Sequence, residues 1–248
     1  MEQVIFISLL SGIATGIGGL IVIWFGTPGY KTLGFYLGIS AGMMGMVVFG
    51  DLLPASLEYG SIKLTITGLI IGIMIMFIFD KILHFIFGGS VFKQSKEVYQ
   101  NKYYLNLGFF MTFAIALHNI PEGLAIGAGF ESQEELGIRV AVVIALHNIP
   151  EGLGVASTLY LGKLKSVYIV FLPLITGFFI PVGTIFSSII GEMVPDWISV
   201  GLSIAAGAMG YLVIKDVGPE SMKLDRLLGQ FGIAVGILIL YIVYHLHH

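Results

Sequence analysis

Three scarcities narrow the classes of protein to which this sequence can belong. The chain has no cysteine, so it forms no disulfide and cannot hold a metal ion through thiolates. Charged residues make up only 11% of its 248 residues, and no basic block of the kind that binds nucleic acid is present. Instead, 56% of the residues are hydrophobic and the mean hydropathy is +0.96. Such a composition predicts an all-α membrane protein that crosses the lipid bilayer several times.

Eight apolar stretches are long enough to cross a bilayer as helices. The connections between them are short, except for a polar stretch at 88–104 that has no repeat and no core of its own. We therefore expect residues 1–248 to form a single membrane domain of eight spans, with the first span retained in the protein. The predicted spans are 4–26, 32–53, 62–87, 105–129, 136–160, 166–190, 197–214 and 228–246.

The basic residues predict how the chain is oriented. With eight spans both termini lie on one side, and of the 12 lysines and arginines all except Lys63 and Arg139 fall in or beside loops on the other side. Cytoplasmic loops are enriched in Lys and Arg. Both termini are therefore predicted to lie outside the cytoplasm, and the loop at 88–104 is predicted to be cytoplasmic.

One phrase of ten residues, Ile-Ala-Leu-His-Asn-Ile-Pro-Glu-Gly-Leu, occurs twice. Each copy places a histidine four residues before a glutamate, His118 before Glu122 and His147 before Glu151. In a helix, residues four apart lie on the same face. The two copies, at 115–124 and 144–153, fall in the fourth and fifth predicted spans. Imidazole and carboxylate at this spacing form a set of metal ligands.

Antiparallel spans would bring the two copies of this phrase to one depth. His118 and His147 each lie about 13 residues from the predicted cytoplasmic end of their span, which is roughly 20 Å at the rise of an α-helix. An ionised carboxylate buried there costs roughly 2.5 to 3.5 kcal/mol. A divalent cation between two glutamates would remove that cost. Pro121 and Pro150 deprive the carbonyls four residues earlier of a hydrogen bond, which provides further oxygen ligands.

Three other interpretations of these residues stay open at this point. Buried His and Glu side chains also occur as purely structural hydrogen-bonding groups between membrane helices. An intramembrane metal-dependent hydrolase would use the same set to activate water, although no His-Glu-x-x-His or nucleophile motif accompanies it. A passive divalent metal channel would share its ligands with a carrier. We predict a carrier, not an enzyme, that needs no cofactor besides the cation it moves.

The doubled His-Asn-Ile-Pro-Glu-Gly motif in consecutive spans resembles the ZIP (Zrt/Irt-like) family of divalent metal transporters, near its bacterial branch. The resemblance implies a homodimer in the cell membrane that moves divalent metal, zinc first, toward the cytoplasm. It implies that the transport site consists of His118, Glu122, His147 and Glu151. Three more residues are implied beside these four, namely Asn119, Asn148 and Met44, with Met43 as the alternative to Met44.

Two positions depart from the pattern of the family. Many relatives have a glutamate before the proline of the sixth span, whereas this sequence has Ile180 before Pro181, and some relatives have an aspartate in place of Asn148. We therefore expect one transported ion rather than two, with Asn119 and Asn148 as weak ligands or as hydrogen-bonding supports. Imidazole and carboxylate without thiolate fit zinc, iron, manganese, cobalt, nickel or cadmium, and not copper(I).

Charged residues near the ends of spans and pairs of glycines allow more than one interpretation. Asp80 and His84, four apart at the predicted cytoplasmic end of the third span, are either a hand-off point for metal or a solvated helix end. Asp51, near the outer end of the second span, is either an access residue or a helix-end charge. Pairs of glycines four apart predict closely packed helices, and they fit equally a bundle of the fourth and fifth spans that moves against the rest.

Overall fold

The computed structural model describes residues 2–91, 100–191 and 196–246, and the regular structure within these ranges is entirely helical. Two π-helical turns, Val48–Leu52 and Val213–Val217, join α2 to α3 and α9 to α10. The α-helices are α1 (Glu2–Phe25), α2 (Tyr30–Val47), α3 (Leu53–Glu58), α4 (Ile62–Val91), α5 (Gln100–Ser132), α6 (Glu134–Leu161), α7 (Ser166–Gly177), α8 (Phe179–Gly191), α9 (Trp197–Leu212), α10 (Gly218–Leu224) and α11 (Arg226–Leu246).

Seven segments within the described residues are long and apolar enough to cross a membrane: α1, α2 with α3, α4, α5, α6, α7 with α8, and α9 with α10. Part of α11, Arg226–Ile242, is apolar but shorter. Large apolar side chains such as Trp24, Phe25 and Phe85 are exposed on the outside of the bundle. Because water-soluble proteins bury such contiguous apolar surface, the chain is a multi-pass membrane protein.

Helices extend into both ends of the polar stretch that the sequence predicts to be a loop at 88–104. Helix α4 continues to Val91 and α5 begins at Gln100, while residues 92–99 lie outside the described part of the chain. The side of the membrane on which this stretch lies, and on which the termini lie, stays a prediction.

Prolines explain where three spans are interrupted. Proline has no N–H to donate, and its ring pushes away the carbonyl four residues earlier. Pro54 acts in this way on the first π-helical turn and Pro219 on the second, each widening the helix locally. Pro181 acts on Gly177, where α7 ends before α8 begins. The sixth predicted span is therefore two helices with a break between them.

The most extensive helix packing is between α1 and both α6 and α7, between α5 and both α6 and α8, between α2 and α11, and between α4 and α9. We call α1, α5, α6, α7 and α8 the core group, and we call α2, α3, α4, α9, α10 and α11 the flanking group. Helices α5 and α6 form an antiparallel hairpin in the core group. The flanking group contacts this hairpin mainly where α9 and α4 meet α5 and where α2 meets α6. The doubled motif therefore lies in the two helices at the centre of the bundle.

Glycines bring helices within each group into backbone contact. A Cβ atom on Gly12 of α1 would collide with the backbone of Gly177 in α7, and one on Gly42 of α2 would collide with Ile233 in α11. Glycine pairs from the sequence lie at such interfaces: Gly12 with Gly16, Gly34 with Gly38, Gly68 with Gly72, Gly123 with Gly127, and Gly232 with Gly236. Close packing therefore accounts for these pairs.

Candidate metal centre

The four ionisable residues of the doubled motif form two crossed pairs. Nε2 of His118 in α5 lies 3.1 Å from Oε2 of Glu151 in α6. Nε2 of His147 in α6 lies 2.9 Å from Oε1 of Glu122 in α5. All four side chains are buried. Each histidine therefore pairs with the glutamate of the other copy, and the two copies act as one site across the hairpin.

Ligand atoms converge at the centre of this site. One ligand atom from each of His118, Glu122 and Glu151 lies within 4.8 Å of the others, and His147 joins them through Glu122. Oε2 of Glu122, Oε1 of Glu151 and Nδ1 of His147 are buried without a hydrogen-bond partner. Unpartnered buried acceptors are costly unless something binds them. The donor set fits a divalent cation with nitrogen and oxygen ligands.

Two asparagines tie the hairpin to its neighbours in the core group. The Nδ2 group of Asn119 donates to the carbonyl of Thr176 in α7 at 2.8 Å, and that of Asn148 donates to the carbonyl of Ser11 in α1 at 3.2 Å. Both side chains are fully buried, and the Oδ1 atom of each is without a hydrogen-bond partner. The amide nitrogens thus hold helices together, which leaves the two oxygens as further acceptors inside the protein.

Residues expected from the other spans lie in an apolar setting. Met44 is fully buried in α2, with the hydroxyl of Ser40 3.9 Å from its sulfur, and Met43 is buried beside it. Ile180 is fully buried in the same apolar cluster as Met44. Helix α8 contains no Asp or Glu along its length, so it brings no carboxylate toward α5.

Each His-Asn-Ile-Pro-Glu-Gly motif ends in a glycine that packs against a neighbouring helix. Gly123 lies against the backbone of α8 at Ile180, and Gly152 lies against the backbone of α1 at Thr15. Helices α5 and α6 both continue through their internal proline. Each copy therefore presents its glutamate to the site and, one residue later, a bare backbone surface to a packed neighbour.

Sequence reasoning missed one ion pair between the two helix groups. Asp51, in the first π-helical turn, lies 2.9 Å from both Nε and Nη2 of Arg139 in α6. The signal available was that Arg139 is a basic residue within a predicted span on the side with few basic residues.

Asp80 and His84, four residues apart in α4, contact each other. His84 Nδ1 lies 3.0 Å from Oδ1 of Asp80, and the hydroxyl of Tyr211 donates to the second oxygen of Asp80 at 3.3 Å. The contact with Tyr211 joins α4 to α9 within the flanking group. Both carboxylate oxygens of Asp80 therefore have partners, as expected for a charge with a structural role at a helix end. A role of this pair in metal hand-off stays a prediction.

Ionisable side chains buried at the centre of a membrane bundle mark a functional site, such as an ion pathway, a proton relay or a ligand site. A family profile described as ZIP Zinc transporter matches residues 93–244. The chain belongs to the ZIP zinc transporter family.

Relatives match most of the chain. The zinc transporter ZupT of Escherichia fergusonii is 31% identical over 229 residues, which cover 91% of this chain and 89% of the relative. The zinc transporter GufA of Myxococcus xanthus is 33% identical over 225 residues, covering 87% of each chain. The zinc transporter ZupT of Corynebacterium aurimucosum is 33% identical over 142 residues, covering 54% of each.

Family membership decides between a transporter and an enzyme, while the choice between carrier and channel stays a prediction. Its members are transporters, so the prediction that the chain is not an enzyme is confirmed and the hydrolase is set aside. The prediction that it transports divalent metal cations across a membrane is likewise confirmed.

Proposed function

We propose that the chain carries zinc toward the cytoplasm through a site formed by His118, Glu122, His147 and Glu151. The observation that carries this proposal is the crossed arrangement of two His-Glu pairs, in which one buried oxygen of each glutamate lacks a hydrogen-bond partner. Two neutral imidazoles and two carboxylates around a divalent cation are neutral in total, which suits a buried position. The names of the similar zinc transporters support zinc as the first choice of cation.

The chemistry of these ligands also suits transport rather than permanent binding. Structural zinc sites are usually closed by four tight ligands, often thiolates. Carboxylate and imidazole ligands exchange more readily, and the same set accommodates iron, manganese, cobalt, nickel and cadmium. In our proposal zinc is preferred by availability and geometry, and the other cations compete with it.

Supporting residues complete the proposed site. In this proposal the Oδ1 atoms of Asn119 and Asn148, which lack hydrogen-bond partners, act as weak additional ligands or orient the ligands by hydrogen bonds. The resemblance to the family adds Met44, which is fully buried in α2, as a residue that lines the site. With Ile180 in place of a carboxylate, the site holds one ion at a time. An eight-span arrangement with both termini outside the cytoplasm, in the cell membrane and as a homodimer, follows the resemblance to the family and the distribution of basic residues.

Zinc flux into liposomes tests the proposal. Purified protein is reconstituted with a zinc-sensitive dye inside, and the parent is compared with Glu122→Ala and His147→Ala. Glu220→Gln serves as the matched control, because Glu220 is an exposed carboxylate paired with Lys223 on a helix surface. We expect the parent and the control to carry zinc, and both site variants, inserted and folded, to fail.

Three results would contradict parts of the proposal. Site variants that carry zinc as fast as the parent would make the doubled motif a scaffold. A parent that carries another divalent cation but no zinc would overturn the choice of cation. A linear dependence of rate on zinc concentration, without saturation, would favour the channel over the carrier.

A further inference from the structure

Three charged side chains form a line from the surface of the bundle into its interior. Glu135, at the start of α6, is 71% exposed, Arg139 one turn later is 25% exposed, and Asp51 is 3% exposed. Nη1 of Arg139 lies 3.9 Å from Oε1 of Glu135, while Nη2 lies 2.9 Å from Oδ1 of Asp51. The arginine thus lies between an outer carboxylate and an inner one.

This line starts at the end of the bundle predicted to face outward. It begins beside the turn between α5 and α6, where Glu131 and Glu134 add further negative charge. Arg139 precedes His147 by eight residues in α6, which is about 12 Å along a helix. Arg139, and with it Asp51, therefore lies about two helical turns from the central ligands on the side of the acidic turn, which would attract cations.

The ion pair also joins the two helix groups. Asp51 belongs to the flanking group and lies in a π-helical turn, whereas Arg139 belongs to the core group. Asp51 is buried and Arg139 is partly buried, so the pair costs desolvation, chiefly of the carboxylate. A pair of apolar side chains could join the first π-helical turn to α6 without this cost, which makes the ion pair a candidate for a role other than adhesion.

On the basis of the proposed function, we propose that Asp51 is a transient ligand for the incoming divalent cation and that Arg139 holds this carboxylate when no cation is bound. The guanidinium acts as a tethered counter-ion. When a divalent cation reaches Asp51, the guanidinium moves toward Glu135, which it already approaches. Arg139 and the cation compete for one carboxylate, so Arg139 sets the zinc concentration at which uptake is half-maximal.

Half-saturation in the liposome assay separates this role from a structural one. We expect Arg139→Gln to lower the zinc concentration for half-maximal uptake by about fivefold or more, because the competitor is gone. We expect Asp51→Asn to raise it by a similar factor. In the double variant, Asp51→Asn with Arg139→Gln, half-saturation should match that of Asp51→Asn alone, since removal of Arg139 matters only while the carboxylate is present.

A structural ion pair predicts a different pattern. Both single variants would then lose thermal stability and maximal rate in parallel, with half-saturation unchanged, and the double variant would recover because no buried charge is left alone. That outcome would overturn the inference while the parent still carries zinc. A parent without zinc uptake would instead refute the proposed function, so the two failures are distinguishable.

The absence of native cysteine provides a second readout that does not depend on transport. Asp51→Cys places one thiol at the proposed position in a chain that has no other. In the double variant Asp51→Cys with Arg139→Gln, we expect this thiol to react with a small cationic thiosulfonate reagent. We also expect cadmium to slow that reaction. An unreactive thiol, or one that cadmium does not protect, would contradict the inference.

Discussion

Replacing Glu122 by glutamine gives the most informative single perturbation of the proposed site. The amide has the shape of the carboxylate and still offers an oxygen to Nε2 of His147, 2.9 Å away, so the helix hairpin should fold unchanged. What changes is charge. A site that is neutral with two carboxylates and a divalent cation becomes positive by one charge when one carboxylate is lost.

The size of the effect follows from the depth of the site. One uncompensated charge in the middle of a membrane helix costs roughly 2.5 to 3.5 kcal/mol on an insertion scale, which corresponds to about a 60- to 300-fold loss of zinc affinity. Titration calorimetry of the detergent-solubilised protein measures that affinity, with Glu220→Gln as the control. An affinity for zinc within threefold of the parent's would refute the reasoning that Glu122 neutralises the ion.

Three further predictions concern packing, movement and protons. Gly152→Ala should lower the free energy of unfolding by about 1 to 3 kcal/mol in a thermal unfolding experiment, because the added Cβ would collide with the backbone of α1. Gly154→Ala is the control and should have little effect, because its Cβ would make only ordinary contacts. A disulfide between Ala128→Cys and Gly201→Cys, which joins α5 to α9, should stop zinc flux reversibly. Lowering the outside pH from about 7.5 to about 5.5 should raise the zinc concentration for half-maximal uptake, because protonated imidazoles cannot bind metal.

The disulfide tests whether the two helix groups move against each other during transport. A Cβ on Gly201 would lie 3.2 Å from that of Ala128, so a bridge there needs only a small adjustment. An apolar cavity of about 190 Å³ between α4, α5, α8 and α9 makes this boundary less tightly packed. The matched control is a bridge within the core group, between Gly16→Cys and Leu174→Cys, also at 3.2 Å. Equal flux through both cross-linked proteins would contradict a moving bundle.

Hydropathy predicted the membrane segments well because burial in lipid requires about 20 apolar residues, whatever the partner helices are. Hydropathy could not predict the interruptions at Pro54 and Pro219. A proline can bend a membrane helix, widen it or leave it unchanged, and the outcome depends on the helices packed against it. The corrected feature is the sixth span, which the sequence described as continuous and which is broken between α7 and α8.

The residues of the candidate site could be predicted from the sequence, but which histidine pairs with which glutamate could not. The repeated motif gives the spacing of His118 and Glu122 on one face of α5, but the pairing with α6 depends on how the helices rotate about their axes. That rotation is fixed by contacts such as Asn119 with Thr176, which no periodicity encodes. The pairing of Asp51 with Arg139 was missed for the same reason, since 88 residues of sequence separate them.

In the proposed site, one divalent ion is bound by two imidazoles and two carboxylates from the doubled motif. X-ray absorption spectroscopy of the zinc-loaded protein measures the ligands directly. We predict one zinc per chain, a shell of nitrogen and oxygen at about 2.0 to 2.2 Å, imidazole scattering from two rings, and loss of one ring in His118→Ala. Imidazole scattering that is absent from the parent, or that His118→Ala leaves unchanged, would contradict a zinc site formed by these two histidines.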